Sequence, residues 1–406
     1  SLDPTGDVDY YKFPGLNGQA IMITLVAQTE AFAATSIDTV ITLYDSAMNQ
    51  IAANDDPLPR DTNDSTLFTL LPADGDYYIR VEECWTWAAT FGVSCADPID
   101  KLESSYDLLL LALDPLSDGN VQDSEEGNDE NTATPVTYGK NSAGSYFMTV
   151  IWGLFETSGD VDVYSFNIPT DATTTEGRYL ANFEIHTGGS TGTGSTSMVG
   201  EFYITTAADP SSKIASNSGN EGSGKMSPPL DLDTDYLLFV NQPGSTTGTH
   251  DFYFLNHYAS GSNPLETQEA ENDSLETPEA LEAISLVDGD TAFFVDGNII
   301  NDAADMDHYS FTIPAGLSEP RVSVACGAQS SGSGLRELEY SVLNSSGETL
   351  SGASIKESAL GETNLSDILV PAATELLVLK ITAGSQDSAV SSDFYRCGLR
   401  VSSATP

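Results

Sequence analysis

Two carboxylates followed by two aromatics, all at alternating positions, recur three times in this chain. The copies are Asp7-Val8-Asp9-Tyr10-Tyr11-Lys12-Phe13, Asp160-Val161-Asp162-Val163-Tyr164-Ser165-Phe166 and Asp305-Met306-Asp307-His308-Tyr309-Ser310-Phe311. Paired carboxylates are hard oxygen donors for a divalent cation, or acid–base partners when they flank a sugar. In a strand the acid pair and the aromatic pair are each expected to share a face, with the two pairs on alternate faces. The aromatics then enter a core and the acids gather at the strand's entrance. Three copies imply three copies of one β-module.

Acidic lead-ins precede the later copies. Glu125-Glu126-Gly127-Asn128-Asp129 comes before the second and Glu269-Ala270-Glu271-Asn272-Asp273 before the third. The first copy lies so close to Ser1 that it carries no lead-in. Either an upstream segment was removed or that unit lacks the site.

The charge balance narrows the partners. With 14 basic and 61 acidic residues the formal charge is −47, a field that repels nucleic acid and anionic membranes and favours cations or a salty medium. Hydrophobic residues make up 40% of the chain, enough to bury cores over its 406 positions, and that length calls for two to four domains. No apolar run approaches the length of a membrane span, and no signal peptide is seen. The four cysteines fall in two local pairs, Cys84 with Cys95 and Cys326 with Cys397. One disulfide in each outer unit is expected, in an oxidising compartment. The absence of C-x-x-C spacing argues against zinc.

The elements that must hold these residues read as strands every 8–12 residues separated by Gly, Pro, Asn and Asp turns, with no helical periodicity. Units are expected at 1–115, 116–262 and 263–406. Each places its Asp-x-Asp strand early and ends on an apolar strand: Tyr106 to Leu113, His250 to Tyr258, and Phe394 to Val401. Gly/Ser/Thr stretches at 188–197 and 216–224 read as inserted loops.

This ordered set resembles the bacterial pre-peptidase C-terminal domain. The carrying residues are Glu271-Asn272-Asp273, Asp305-x-Asp307-x-Tyr309-x-Phe311, and in the first unit Leu43-Tyr44-Asp45 with Leu71-Pro72-Ala73-Asp74-Gly75-Asp76-Tyr77-Tyr78. The first unit matches best, from Asp7 to Val81. The third departs, with Ala372-Ala373-Thr374-Glu375 where Ala-Asp-Gly-Asp stood. The resemblance implies an all-β chain of three tandem jelly-roll-like antiparallel β-sandwich domains. Such modules accompany secreted peptidases and are non-catalytic. Their relatives include collagen-binding modules of clostridial collagenases, which bind calcium through an acidic lead-in.

Calcium is therefore the cofactor expected, since it takes six to eight oxygen ligands including carboxylates and amide carbonyls. The ligand candidates are Glu269, Glu271, Asn272, Asp273, Asp305 and Asp307 in the third unit, and Glu125, Glu126, Asn128, Asp129, Asp160 and Asp162 in the second. The competing reading makes them solvated linker and turn acids. Asn54-Asp55-Asp56 with Asp38, Asp61 and Asp64 is weighed as a further cation loop and read instead as an Asx-rich turn. Trp85 and Trp87, inside the Cys84–Cys95 loop, would share a face if extended and offer a stacking platform for sugar or peptide. The competing role is to cover the end of the sandwich.

Enzyme signatures fail. Gly188-Gly189-Ser190-Thr191-Gly192 has the nucleophile-elbow pattern without a strand–elbow–helix context. Gly219 to Gly224 with Lys225 falls short of a phosphate-binding loop, because Met226 stands where Ser or Thr is required. His186, His250, His257 and His308 have no metal spacing. The reading is a non-catalytic, secreted or cell-surface bacterial protein that binds an extracellular polysaccharide or protein. The alternatives are a self-associating surface or filament protein and the accessory tail of a secreted peptidase.

Overall fold

The computed structural model describes residues 1–3, 6–27, 37–55, 64–91, 105–113, 121–122, 129–138, 149–155, 157–171, 178–186, 199–219, 223–242, 252–260, 265–268, 271–286, 289–299, 305–357, 363–371 and 374–403. Among them the chain is nearly all strand. The first unit holds β1 (Val8–Gly15), β2 (Ala20–Val26), β3 (Thr39–Tyr44), β4 (Gln50–Asn54), β5 (Thr66–Leu70), β6 (Gly75–Glu83), a short helix α1 (Cys84–Phe91) and β7 (Asp107–Leu113). The second holds β8 (Val121–Gln122), β9 (Thr134–Pro135), β10 (Thr149–Leu154), β11 (Val161–Asn167), β12 (Arg178–His186), β13 (Val199–Thr206), β14 (Asp209–Gly219), β15 (Ser223–Met226), β16 (Pro229–Asp231), β17 (Asp235–Asn241) and β18 (Phe252–Ser260). The third holds β19 (Glu279–Ala280), β20 (Ile284–Ser285), β21 (Thr291–Asn298), β22 (Met306–Thr312), β23 (Arg321–Gly327), β24 (Leu335–Arg336), β25 (Glu339–Asn344), β26 (Thr349–Lys356), β27 (Thr363–Leu369), β28 (Leu376–Thr382), β29 (Ser385–Gln386) and β30 (Phe394–Ser402).

Each unit is two facing sheets around a core, and the strand order repeats. The sheets carrying the Asp-x-Asp strands run β1-β6-β3-β4, β9-β11-β17-β13-β14 and β19-β22-β28-β25-β26. The facing sheets run β5-β2-β7, β15-β12-β18-β10-β8 and β27-β23-β30-β21-β20. The first unit has no counterpart of β10 and β21 among the described residues.

Alternation explains which residues go in. Along β30, Tyr395, Cys397, Leu399 and Val401 are buried in the third core. Between them Arg396 and Arg400 point out and pair with Asp296 at 3.2 Å and Asp290 at 2.7 Å. Along β2, Ile21, Ile23 and Leu25 face the first core. Ala20 and Met22 face the other way and join Phe68, Leu70, Val150, Trp152, Phe252 and Phe254 in an apolar seam with the second unit. The second and third units are joined by main chain. Ser216 N donates to Gly332 O and Ser227 N to Ser331 O, both at 2.9 Å, and Ser391 N donates to Lys213 O at 2.7 Å.

Several expectations need correction. The acid pair and the aromatic pair do not lie on alternate faces, because all four positions have the same parity. Asp162, Tyr164 and Phe166 are all buried, as are Asp307, Tyr309 and Phe311. The stretch 216–224 is not an inserted loop. Residues up to Gly219 belong to β14, and those from Ser223 to β15. Gly224, Lys225 and Met226 therefore sit in a strand, with no helix to form a phosphate site. The 188–197 stretch, with its Gly-x-Ser-x-Gly pattern, lies outside the described residues.

Candidate cation site and tyrosine triads

Because the second acid of each copy faces inward, it meets hydroxyls. Asp307 Oδ2 accepts from the Tyr395 hydroxyl at 2.6 Å, and Tyr395 in turn contacts the Tyr309 hydroxyl. Asp162 Oδ2 accepts from Tyr253 at 2.7 Å, with Tyr253 and Tyr164 hydroxyls 2.5 Å apart. Asp9 Oδ2 accepts from Tyr106 at 2.6 Å, with Tyr106 and Tyr11 hydroxyls 2.7 Å apart. One Tyr of each triad is the Tyr of the repeated motif, and the other enters from the closing strand. A phenol has one proton, so with Tyr395 donating to Asp307 it is Tyr309 that donates to Tyr395. Burial first, and then the neighbouring carboxylate, push the Tyr309 hydroxyl well up. Tyr395 and Tyr106 are raised as well, chiefly by burial. The phenols therefore remain donors over the ordinary pH range.

The third unit adds a built lead-in to its triad. Gln268 O accepts from Glu271 N at 2.8 Å and Asn272 N at 3.0 Å, which closes a tight turn. Glu279 fastens that turn by accepting from Thr267 N at 3.1 Å, Thr267 Oγ1 at 2.7 Å and Gln268 N at 3.2 Å. Asn272 is fully buried. Its carbonyl accepts from His308 N at 3.0 Å and lies 3.1 Å from His308 Nδ1. A carbonyl oxygen can only accept, so Nδ1 carries a proton and donates it, and burial lowers the His308 pKa. Asn272 Nδ2 donates to Glu266. Asn272 Oδ1 is buried and has no hydrogen-bond donor among the described residues.

Asp273, Asp305 and Asp307 each present a carboxylate oxygen, all within 4.8 Å of one another. Asp273 is exposed, Asp305 half-buried and Asp307 buried, so the set grades from solvent to core. All the donors are oxygen, which fits a hard cation such as calcium. Three carboxylates at such distances repel unless a cation or protons intervene. Asn272, next to Asp273 in the chain, has a buried neutral oxygen, the kind of ligand a calcium site also uses.

The other predicted ligands are placed differently. Glu271 is exposed; its carbonyl accepts from Thr277 Oγ1. Asp129 closes a local turn, its Oδ1 accepting from Asn131 N at 2.7 Å and Thr132 N at 3.1 Å. Asp160 Oδ1 accepts from Val161 N at 3.0 Å. Among the described residues of the second unit no three acids gather. Glu125, Glu126, Asn128 and Glu269 lie outside the described residues.

Residues 7–83 match the bacterial pre-peptidase C-terminal domain. The match takes in the first Asp-x-Asp strand and ends where β6 ends. No curated protein matches the chain. Among solved structures, the tandem CBM51 modules of the family 98 glycoside hydrolase from Streptococcus pneumoniae are 11% identical, over 66% of this chain and 88% of that one, at a TM-score of 0.18. The M60 catalytic domain with two CBM51 domains from Clostridium perfringens ZmpB is 9% identical, over 98% and 55%, at 0.19. The PBSX exported protein XepA is 12% identical, over 66% and 98%, at 0.20. TM-scores this low carry no functional weight.

In the first unit the remaining candidates are placed as follows. Asp38, Asp55 and Cys84 also gather within 4.8 Å. Cys84 is disulfide-bonded, so its sulfur is no thiolate ligand. Its expected partner Cys95, like Asp56 and Asp61, lies outside the described residues. Asp64 is engaged across the unit, accepting from Ala27 N at 2.8 Å. Just beyond, Trp85 and Trp87 do not form a shared platform. They sit on α1 and not on a strand, where positions i and i+2 point to different sides. Trp87 packs with Val40 and Cys84, while Trp85 is 46% exposed. In the third unit Cys326 and Cys397 are cross-strand partners on β23 and β30, joined by a disulfide.

Sequence reasoning missed Glu266, Glu279 and the closing-strand tyrosines. Parity was the available signal for the tyrosines: Asp, Tyr and Phe at alternating positions can only share a face.

Proposed function

We propose that the chain is a non-catalytic extracellular binding or attachment protein, made of three modules of the pre-peptidase C-terminal kind, with calcium pinning the lead-in of the third. The observation that carries the calcium reading is the gathering of the Asp273, Asp305 and Asp307 carboxylates within 4.8 Å, with Asn272, whose Oδ1 is buried without a donor among the described residues, next to Asp273 in the chain. Asn272, Asp273, Asp305 and Asp307 would hold the ion. The ion would neutralise the carboxylates and tie the segment before β19 to the head of β22. The family match over residues 7–83 and the strand order repeated in all three sandwiches support the three-module reading. They also support an accessory role beside a secreted enzyme. The ligand class is an extracellular polysaccharide or protein. Among the described residues no helix is long and apolar enough to cross a membrane.

Calcium titration calorimetry on chelator-stripped protein tests the metal reading. Saturable binding that raises the melting temperature, and the loss of one site in Asp305→Ala, are expected. No heat of binding, or an Asp305→Ala variant with unchanged stoichiometry, overturns it. Retention on insoluble polysaccharides and on collagen, with and without calcium, tests attachment; failure to bind any of them counts against it.

A further inference from the structure

The third sandwich carries a cleft at the end of β22 remote from the cation site. It lies between the segment that joins β22 to β23 and the one that joins β27 to β28, and its volume is about 710 Å³. That is within the range of roughly 300–1,000 Å³ found for ligand pockets. Main-chain bonds clamp the two segments, with Val370 N donating to Pro320 O at 2.9 Å and Ile313 N to Glu375 O at 3.0 Å. The base is apolar: Ile313 and Leu317 pack against the third core and Val370 belongs to it. Leu369, also on the cleft, is 53% exposed. The junction with the second unit lies past the other end of β23.

The polar groups of the cleft accept and hardly donate. Pro314, Pro320 and Pro371 line it and have no N–H. The amides of Ile313, Val370 and Thr374 are spent within the two segments, the last on Pro371 O at 3.2 Å. Glu319 and Glu375 add two exposed carboxylates. Neither carboxylate bonds another described residue. Among the described residues no basic or aromatic side chain lines the cleft. A neutral sugar would find no ring to stack on and few donors for its oxygens. An ammonium or guanidinium on an apolar stem matches both parts, the stem covering the base and the head meeting the carboxylates.

Glu319 has a φ of 48°, in the left-handed region where a side chain with a Cβ is strained. Gly316, in the same segment, takes a φ of 90° without that cost. A strained residue whose carboxylate bonds nothing else in the described fold is better explained by a ligand than by stability.

We propose that this cleft is the docking site for a lysine- or arginine-bearing apolar segment of a partner polypeptide, with Glu319 and Glu375 receiving the cation. The inference rests on the reading of the chain as a binding protein and selects the protein class of ligand within it. It is independent of the calcium site.

A chain of charge −47 attracts cations over its whole surface, so the test must separate the cleft from the general field. It uses the full chain and two fluorescent peptides of equal charge, Leu-Arg-Val-Leu-Arg-Val and Ser-Arg-Gly-Ser-Arg-Gly. Saturable anisotropy is expected for the first at concentrations where the second stays free. Ala315→Trp fills the cleft without changing its charge and should weaken binding about tenfold or more. Glu319→Gly should weaken it about as much and leave the denaturant midpoint unchanged or raised, because glycine takes that φ without strain. The proposal is overturned by no saturable binding of the apolar peptide up to about 1 mM, by equal binding of the two peptides, or by full affinity in Ala315→Trp. A Glu319→Gly variant that keeps its affinity and loses stability overturns it as well. The peptides read the cleft and the retention assays on polysaccharide and collagen read attachment, so each can fail without the other.

Discussion

Tyr395 lies flat across Gly297. The two are directly opposed on β30 and β21, and a Cβ at Gly297 would overlap the Tyr395 hydroxyl and stand 2.8 Å from that of Tyr309. Gly153 and Tyr253 repeat the arrangement in the second unit. The glycine makes the room in which the triad forms. Gly297→Ala should therefore destabilise the third sandwich by about 1–3 kcal/mol, the usual cost of overpacking. Gly352→Ala is a control on a different principle: its added methyl meets nothing within 4 Å, but its φ of 75° makes it a strain test. Urea titration should show that Gly297→Ala combined with Tyr395→Phe, which removes the hydroxyl nearest the new methyl, costs less than the sum of the two single losses. Simple addition of the two losses would show that the steric account is wrong.

The triads differ in exposure, and their energetics should differ accordingly. Tyr253→Phe and Tyr395→Phe each remove the donor to a buried carboxylate, which should cost about 1–3 kcal/mol. Tyr106→Phe removes the same bond where Tyr11 is open to solvent, so water replaces the lost donor and the cost should be smaller. Denaturant midpoints of the three variants give the order directly. Equal losses in all three would mean that solvent access at the first triad is irrelevant to its strength.

Much of this was legible in the residues, and the failures have physical causes. The repeated Asp-x-Asp-x-Tyr-x-Phe run located β1, β11 and β22, and the sandwich class followed from strand spacing. The error over which face the acids occupy came from treating a carboxylate as necessarily solvent-facing, although parity placed Asp162 and Asp307 beside Tyr164 and Tyr309. The end of β14, from Ser216 to Gly219, reads as part of a loop because it has no apolar residue. The strand turns only Ala215 fully into the core, so polar composition is no bar to pairing there. Trp85 and Trp87 were imagined on a strand, but the two alanines after them favour the helix that separates their faces. Glu266 could not be found from sequence, since its partners Asn272 and Asn298 are brought to it only by the fold.

The disulfide on β23 and β30 closes a loop of 71 residues. On the chain-entropy account such a loop contributes about 4 kcal/mol by restricting the unfolded chain. The double variant Cys326→Ala with Cys397→Ala should lower the stability of the third sandwich by about that amount, and the midpoint of the wild-type protein should fall likewise under reductant. A stability change below about 1 kcal/mol would mean that the unfolded chain is already compact around that pair.

Two buried histidines set an acid limit on the second sandwich. His257 stacks on Phe183 with ring centroids 4.3 Å apart, and its Nδ1 donates to Asn182 O at 3.1 Å. His186 packs against Phe68 across the seam to the first unit, with centroids also 4.3 Å apart and the rings tilted by 33°. Burial lowers the pKa of each to about 3. In the unfolded chain they titrate near the ordinary value of 6.5. Between those values the unfolded state binds more protons, so stability is complete above pH 6.5 and is lost as pH falls toward 3. By pH 4.5 each histidine should have removed about 2–3 kcal/mol. His186→Phe keeps the ring contact and removes the proton site, so its stability should fall less between pH 7.5 and 4.5 than that of wild type. Urea titrations at the two pH values give the difference, and identical acid losses in both proteins would show that His186 is already solvated in the native state. Because Phe68 belongs to the first sandwich, protonating His186 should also loosen the seam between the two units. Amide exchange in Thr66–Leu70 should therefore accelerate at pH 4.5 in wild type and not in His186→Phe.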